Sequence, residues 1–213
     1  MGDRVRLPKG CPLHHHPANQ RLRIRTLQVL ALLLAVPFLT MNPWLAGDGH
    51  EFFEMLGLLL VLACMMGRMW SILYIGSKKN HELVMDGPYS MTRNPLYFFS
   101  MLGAAGIGLF VGSLVLTLVL GLAVYIVLLL TARSEARHLE ELFGARYRDY
   151  ARATPMFWPK PSLYREPGDV TFSPAALRRT FLDGLVFLAA FPAIEFVEYL
   201  QETGTLPVLF SLP

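Results

Sequence analysis

Two polar motifs carry the residues with the chemistry to form a reaction site. HELVMDGPYSMTRNPLY (His81 to Tyr97) supplies a histidine, two tyrosines and one arginine, with an Asp86-Gly87-Pro88 turn signal and an Asn94-Pro95 helix entry. SEARHLEELFGARYRDY (Ser134 to Tyr150) supplies carboxylates, beginning with Glu135. The planar fork of Arg93 suits a carboxylate or phosphate. The alternative is a membrane-surface loop with one anchoring arginine. Glu135 either accepts hydrogen bonds from a ligand, pairs with Arg93 or Arg68, or lies on a solvated helix face. Glu140 and Glu141, with Arg137, Arg146 and Arg148, read as a surface ion-pair face.

The stretch between the motifs determines how they meet. From Asn94 to Ala132 run 39 residues without a formal charge, with Gly112-Ser113 at their midpoint. At about 1.5 Å per helical residue this is roughly two bilayer cores. It therefore reads as a helical hairpin that crosses a membrane twice and returns both motifs to one face. Pro95 suits the first turn of the first arm and Asn94 its cap. Ala104, Gly108 and Gly112 repeat every four residues, a face that permits close helix packing in lipid. Gly106-Ile107-Gly108 belongs to the same packing surface. It follows no strand, and a nucleotide-binding glycine loop would need a third glycine in register.

Composition agrees with a membrane protein. Of 213 residues, 54% are hydrophobic and 16% charged, against about 25% charged in soluble domains. Mean hydropathy is +0.42. A net charge of +3 reports topology here, and no nucleic-acid partner is expected. The two cysteines, Cys11 and Cys64, suggest neither a disulfide framework nor a metal site. His14-His15-His16 belongs to a solvated tail or binds metal weakly. No cleavable signal is evident ahead of the first apolar run.

The expected fold is all-α and polytopic, with four transmembrane helices, or five if the C-terminal apolar segment crosses. Residues 1–25 form a basic tail, 26–160 a membrane core, 161–180 a linker, and 181–213 a C-terminal apolar helix. The spans are expected at Thr26–Gly47, Met55–Ser77, Leu96–Val111 and Leu114–Ala132. Every cluster of Lys and Arg falls on one side, so the positive-inside rule places the N-terminus and both motifs in the cytoplasm. Ser134 to Arg152 is expected as an amphipathic helix with a break at Gly144. Near the C-terminus only 11 residues, Gly184 to Ile194, are free of charge. That length favours a re-entrant or interfacial helix over a fifth span. Arg68 lies inside the second span, where an ionisable side chain either faces a cavity or partner or snorkels to the headgroups.

The motifs H-x-L-V-x-x-G-x-Y, R-[HN]-P-x-Y and E-x-x-x-L-x-x-x-F-G-x-x-Y-x-x-Y, separated by a charge-free hairpin, resemble the isoprenylcysteine carboxyl methyltransferase and phospholipid methyltransferase family of integral-membrane enzymes. The likeness runs from about Gly67 to Pro159. It implies S-adenosylmethionine as cofactor, bound in a cytosolic-face pocket. His81, Leu83, Val84, Gly87 and Tyr89 match the segment that helps enclose it. Arg93, Pro95 and Tyr97 match the signature at the start of the hairpin, and Glu135 the first of a glutamate pair. Asn94 stands where the family usually has His, and Ala136 where it usually has the second Glu. Arg93 and Asn94 are the implied catalytic pair. Arg93 suits the cofactor's carboxylate, Glu135 its ammonium or ribose, and Tyr89 or Tyr97 its sulfonium or adenine. His81 is the best candidate for a base, though cofactor binding or structure is the expectation placed first. The methyl acceptor is expected to be lipophilic and to enter laterally from the bilayer, with Arg68, Glu195 and Glu198 as candidate acceptor contacts. No obligate protein partner is implied. A membrane reductase using NADPH and a non-catalytic protein of the same fold are the rival readings.

Overall fold

A computed structural model describes residues 41–42, 48–76, 82–110, 112–166, 168–205 and 210–211. The basic tail, almost all of the expected first span, His14-His15-His16 and His81 lie outside the described residues. The elements are α1 (Asp48–Ile75), a single turn α2 (Pro88–Met91), α3 (Pro95–Phe110), α4 (Leu114–Phe143), α5 (Ala145–Ala153) and α6 (Pro174–Glu202). A 3-10 turn covers Pro161–Leu163. The described extended pairing is a two-residue parallel bridge, Met41 to Phe210 and Asn42 to Ser211. The fold is all-helical apart from that bridge.

Among the described residues three helices are long and apolar enough to cross a membrane: Glu51–Ile75, Leu114–Phe143 and Pro174–Gln201. The protein is an integral membrane protein. Helix α3 is shorter, about 24 Å at 1.5 Å per residue, and forms the expected hairpin with α4. At the tip Gly112 adopts φ 70°, and the Ser113 hydroxyl caps α4 by accepting from the Leu116 N–H at 3.2 Å.

Small residues set how closely the helices approach. A Cβ on Gly57 of α1 would sit 2.6 Å from the Gly106 carbonyl oxygen, and one on Gly106 would sit 2.7 Å from that of Gly57. Across the hairpin, a Cβ on Gly108 would meet the Thr117 backbone at 2.5 Å. The glycines of the third span thus serve both neighbouring helices. On its outer side α4 exposes Leu118, Leu122, Ile126 and Leu130, an i, i+4 stripe suited to lipid.

Beyond the fourth span the expected amphipathic stretch from Ser134 is helical and is continuous with α4. Helix α4 continues to Phe143 because Ser134–Phe143 contains no residue that stops a helix. The break comes at Gly144, φ 54°, after which α5 begins. The C-terminal segment, for which the sequence favours a re-entrant or interfacial helix over a fifth span, belongs to a helix long and apolar enough to cross a membrane. Helix α6 runs unbroken through Pro192, capped by Ser173 with Pro174 in its first turn. It lies antiparallel along α1: Gly76 faces Ala176, Gly184 faces Met65, and farther along Phe191 packs on Phe110. The helix therefore reaches from the motif end of the bundle to the hairpin tip. Asp183 and Glu195, which shorten its charge-free core, are exposed on its outer side.

Candidate functional site

The first motif is held by an irregular strap that follows α5. Thr154 to Arg165 folds back over α2 and the entry to α3, joined largely through backbone groups. The Gly87 N–H donates to the Arg165 carbonyl at 2.8 Å, the Lys160 N–H to Met91 at 3.0 Å, and the Arg93 N–H to Pro155 at 2.9 Å. Side chains complete the seam. The buried Thr92 hydroxyl donates to the Phe157 carbonyl at 2.9 Å, and the Asn94 amide donates to Met156 at 2.9 Å. The Arg165 N–H donates to the Ser90 hydroxyl at 2.9 Å. The prolines at 155, 159 and 161 lack N–H groups, which fits a strap whose carbonyls are the main acceptors.

Gly87 opens α2 at φ 60°, and a Cβ there would run into the Tyr74 ring. Tyr89 is then buried at the centre of the motif. Its carbonyl accepts from the Tyr150 hydroxyl at 2.7 Å, tying α5 to α2. Its own hydroxyl is buried without a hydrogen-bond partner. Burial, and then the nearness of Tyr150, Glu135 and Tyr97, pushes the Tyr89 hydroxyl well above its ordinary pKa. Burial likewise raises Tyr150, partly offset by Arg93. Both phenols are therefore neutral hydrogen-bonding groups at physiological pH.

Arg93 stands at the junction of the two motifs. Its Nη1 donates to the Tyr147 hydroxyl at 3.3 Å, while its Nε is buried with no partner. It lines an open cavity of about 450 Å³, walled on α4 by Arg133, Ala136, Arg137 and Glu140, and bordered by Tyr147 and Arg148 of α5. That volume lies within the roughly 300–1,000 Å³ of small-molecule and cofactor sites. Glu135 is not part of this cavity's lining and lies near Tyr89. Among the described residues it forms no ion pair with Arg93 or Arg68. Glu140 pairs with Arg148 at 3.7 Å, as the ion-pair-face expectation has it.

Of the remaining sequence candidates, Leu83 and Val84 lie half-buried in the extended lead into the motif. Pro95 is buried at the first turn of α3, and Tyr97 is half-buried near Tyr89. Asn94 bonds the strap rather than facing the cavity. Arg68 points from α1 to α3, donating to the Ser100 hydroxyl at 2.6 Å, with its Nε buried and unpartnered. Glu195 is not brought to this site. Its neighbour Ile194 clusters with Phe110 and Leu116 at the hairpin tip, about 24 Å of helix from Arg93. Glu198 lies about one turn beyond Glu195 on α6. Sequence reasoning missed the strap and the anchoring roles of Ser90, Thr92 and Tyr150. Among the described residues, no group of three His, Cys, Asp or Glu side chains converges as metal ligands would.

Residues 53–146 match the phospholipid methyltransferase family. The chain is 37% identical over 157 residues to the cobalt-zinc-cadmium resistance protein CzcN of Cupriavidus metallidurans, covering 74% of this chain and 72% of that one. It is 36% identical over 157 residues to the nickel-cobalt-cadmium resistance protein NccN of Alcaligenes xylosoxydans xylosoxydans, covering 74% and 73%. No solved structure matches. With its two motifs joined at one end of a membrane hairpin, the chain belongs to the phospholipid methyltransferase family.

Proposed function

We propose that the protein is a methyltransferase that binds S-adenosylmethionine at the cytosolic face of the membrane. The acceptor is lipophilic, or a small thiol, carboxyl or amine compound. The observation that carries this reading is Arg93. It holds a buried donor without a partner, on the wall of a cofactor-sized cavity, at the meeting point of both family motifs. The residues fit the cofactor's polar groups. Arg93 would hold the carboxylate. Family resemblance gives Glu135 the ammonium or ribose; it sits outside the cavity lining, near the unpartnered Tyr89 hydroxyl, so the ligand would have to extend past Arg93 to reach it. When bound, the cofactor supplies an activated methyl group and its own leaving group. The protein's share is to align donor and acceptor and exclude water. An amine or hydroxyl acceptor also needs a base, for which His81 is the candidate.

Asn94 supports a narrower role for one family position. Its amide is committed to the Met156 carbonyl, so it positions the strap. This also favours, as second reading, a protein that binds the cofactor without turnover. Membership of a methyltransferase family weighs against the NADPH-dependent reductase. Both relatives are named for metal resistance. On this reading any such role here runs through modification of a membrane component.

Calorimetric titration in nanodiscs with S-adenosylhomocysteine, and separately with NADPH, tests the cofactor. Saturable one-site binding of the former alone is expected. Binding of NADPH instead, or of neither, overturns the reading. Methylation assays across lipid and thiol panels then separate enzyme from binder.

A further inference from the structure

The cavity beside Arg93 has more positive charge than the cofactor requires. Four arginines, Arg93, Arg133, Arg137 and Arg148, line it with one carboxylate residue, Glu140, which already pairs with Arg148; Arg133, Arg137 and Arg148 are solvent-exposed. Among the described residues Arg133 and Arg137 have no ion-pair or hydrogen-bond partner, and the Arg93 Nε has none. Positive-inside topology explains an arginine where α4 leaves the bilayer. It does not explain why arginines from three separate elements converge on one cavity. Ala136, one helical turn from Glu140, gives this wall a small neutral side chain.

S-adenosylmethionine carries one carboxylate against a sulfonium and an ammonium. It is a cation overall and can neutralise one of these arginines at most. A phosphodiester joined to an amine is neutral overall and leaves the surplus where it was. A phosphate monoester carries about −1.5 to −2 charge near pH 7 and offers three acceptor oxygens to forked donors.

We propose that Arg133, Arg137 and Arg148, beside Arg93, form a site for a phosphate monoester dianion carried by the methyl acceptor. As an anion site it stands without the methyltransferase reading; as the acceptor's site it rests on that reading. The dianion is either a lipid headgroup, as in phosphatidic acid, or part of a soluble molecule.

The test titrates inorganic phosphate into the full-length protein in phosphatidylcholine nanodiscs, followed by phosphorus NMR, with S-adenosylhomocysteine titrated in parallel. Saturable phosphate binding is expected, weakening below about pH 6 as the dianion protonates. Ala136→Glu, which adds a carboxylate to the wall, and Arg137→Gln should each weaken it at least fivefold. Arg146→Gln, at an arginine equally exposed but outside the cavity lining, should leave it unchanged. Phosphatidic acid added to the discs should compete with phosphate if the ligand is a lipid; free competition only by soluble monoesters assigns it to solution. Phosphate that does not saturate, or that binds equally to wild type, Ala136→Glu and Arg137→Gln, overturns the proposal. S-adenosylhomocysteine binding without phosphate binding removes the anion site and keeps the cofactor reading. Phosphate binding without it does the reverse.

Discussion

Two buried tyrosines a few residues from the proposed cofactor offer a paired test. Tyr150→Phe removes the hydroxyl that donates to the Tyr89 carbonyl at 2.7 Å and leaves that buried acceptor unpaired. Such a loss costs about 1–3 kcal/mol. For a chain of this size that corresponds to roughly 2–12 °C in Tm, at about 2–4 °C per kcal/mol. Tyr89→Phe does something different. It removes a buried hydroxyl that has no partner in the protein. Unliganded stability should hold or rise by about 1 kcal/mol, because a desolvated polar group has been deleted. Ligand should narrow the advantage of Tyr89→Phe. At about a hundred times Kd, S-adenosylhomocysteine should stabilise the wild type by about 2.7 kcal/mol. If the Tyr89 hydroxyl bonds the ligand, Tyr89→Phe forfeits about 0.5–1.5 kcal/mol of this. Thermal unfolding followed by intrinsic fluorescence, in nanodiscs with and without ligand, reads both effects. A Tyr150→Phe variant as stable as wild type would refute the anchoring role. So would a ligand-free Tyr89→Phe variant less stable than Tyr150→Phe.

Arg93→Ala and Glu135→Ala should each weaken S-adenosylhomocysteine binding at least tenfold, about 1.4 kcal/mol, without unfolding the protein; wild-type affinity in both, by calorimetry, would remove these residues from the site. Alkaline pH should destabilise the fold. The buried Tyr89 and Tyr150 hydroxyls have folded pKa values above the ordinary 10.0, so the unfolded chain loses protons first. Their contribution is intact below about pH 10 and lost as pH rises through the folded values, and Tyr150→Phe should flatten the pH–stability profile there. Gly57→Leu should disrupt the α1–α3 contact, where even a Cβ meets the Gly106 carbonyl at 2.6 Å, and lower Tm far more than Gly121→Leu at an open position. Asn94→Ala should cost about 1–3 kcal/mol of stability through the unpaired Met156 carbonyl; a stability loss fully rescued by Gln but not by Leu would confirm hydrogen bonding as the cause.

The hairpin was legible because hydropathy and end signals agree there. The charge-free run, Pro95 at one end and Ser113 at the turn each have a local physical meaning. The family motifs also placed Arg93 at the junction. The extent of α4 was harder to read. A first arginine marks a bilayer boundary, but it does nothing to stop a helix, and only Gly144 does. Helix α6 was obscured because Asp183 and Glu195 depress its hydropathy, although both are exposed on its outer side. The strap left no periodic signal. Its order comes from donors on distant segments, such as the Gly87 N–H and the Thr92 hydroxyl, and these pairings are set by tertiary packing. The cavity had a similar limit: each arginine has a topological explanation by itself, and only the three-dimensional arrangement brings them together.

The strap also constrains the order of events during synthesis. Thr92 bonds a carbonyl 65 positions later, and Ser90 receives a donor 75 positions later. The hairpin can enter the bilayer as soon as α3 and α4 emerge, since its contacts are local. The motif around α2 gains its full set of anchors, Tyr150 first and Arg165 last, only after both arms of the hairpin have been made. A newly inserted chain is thus a membrane protein before it has a closed site. A truncation just after α5 should insert normally yet leave the first motif without the strap, held through Tyr150. The membrane anchor and the ligand site are therefore separable in time within one chain.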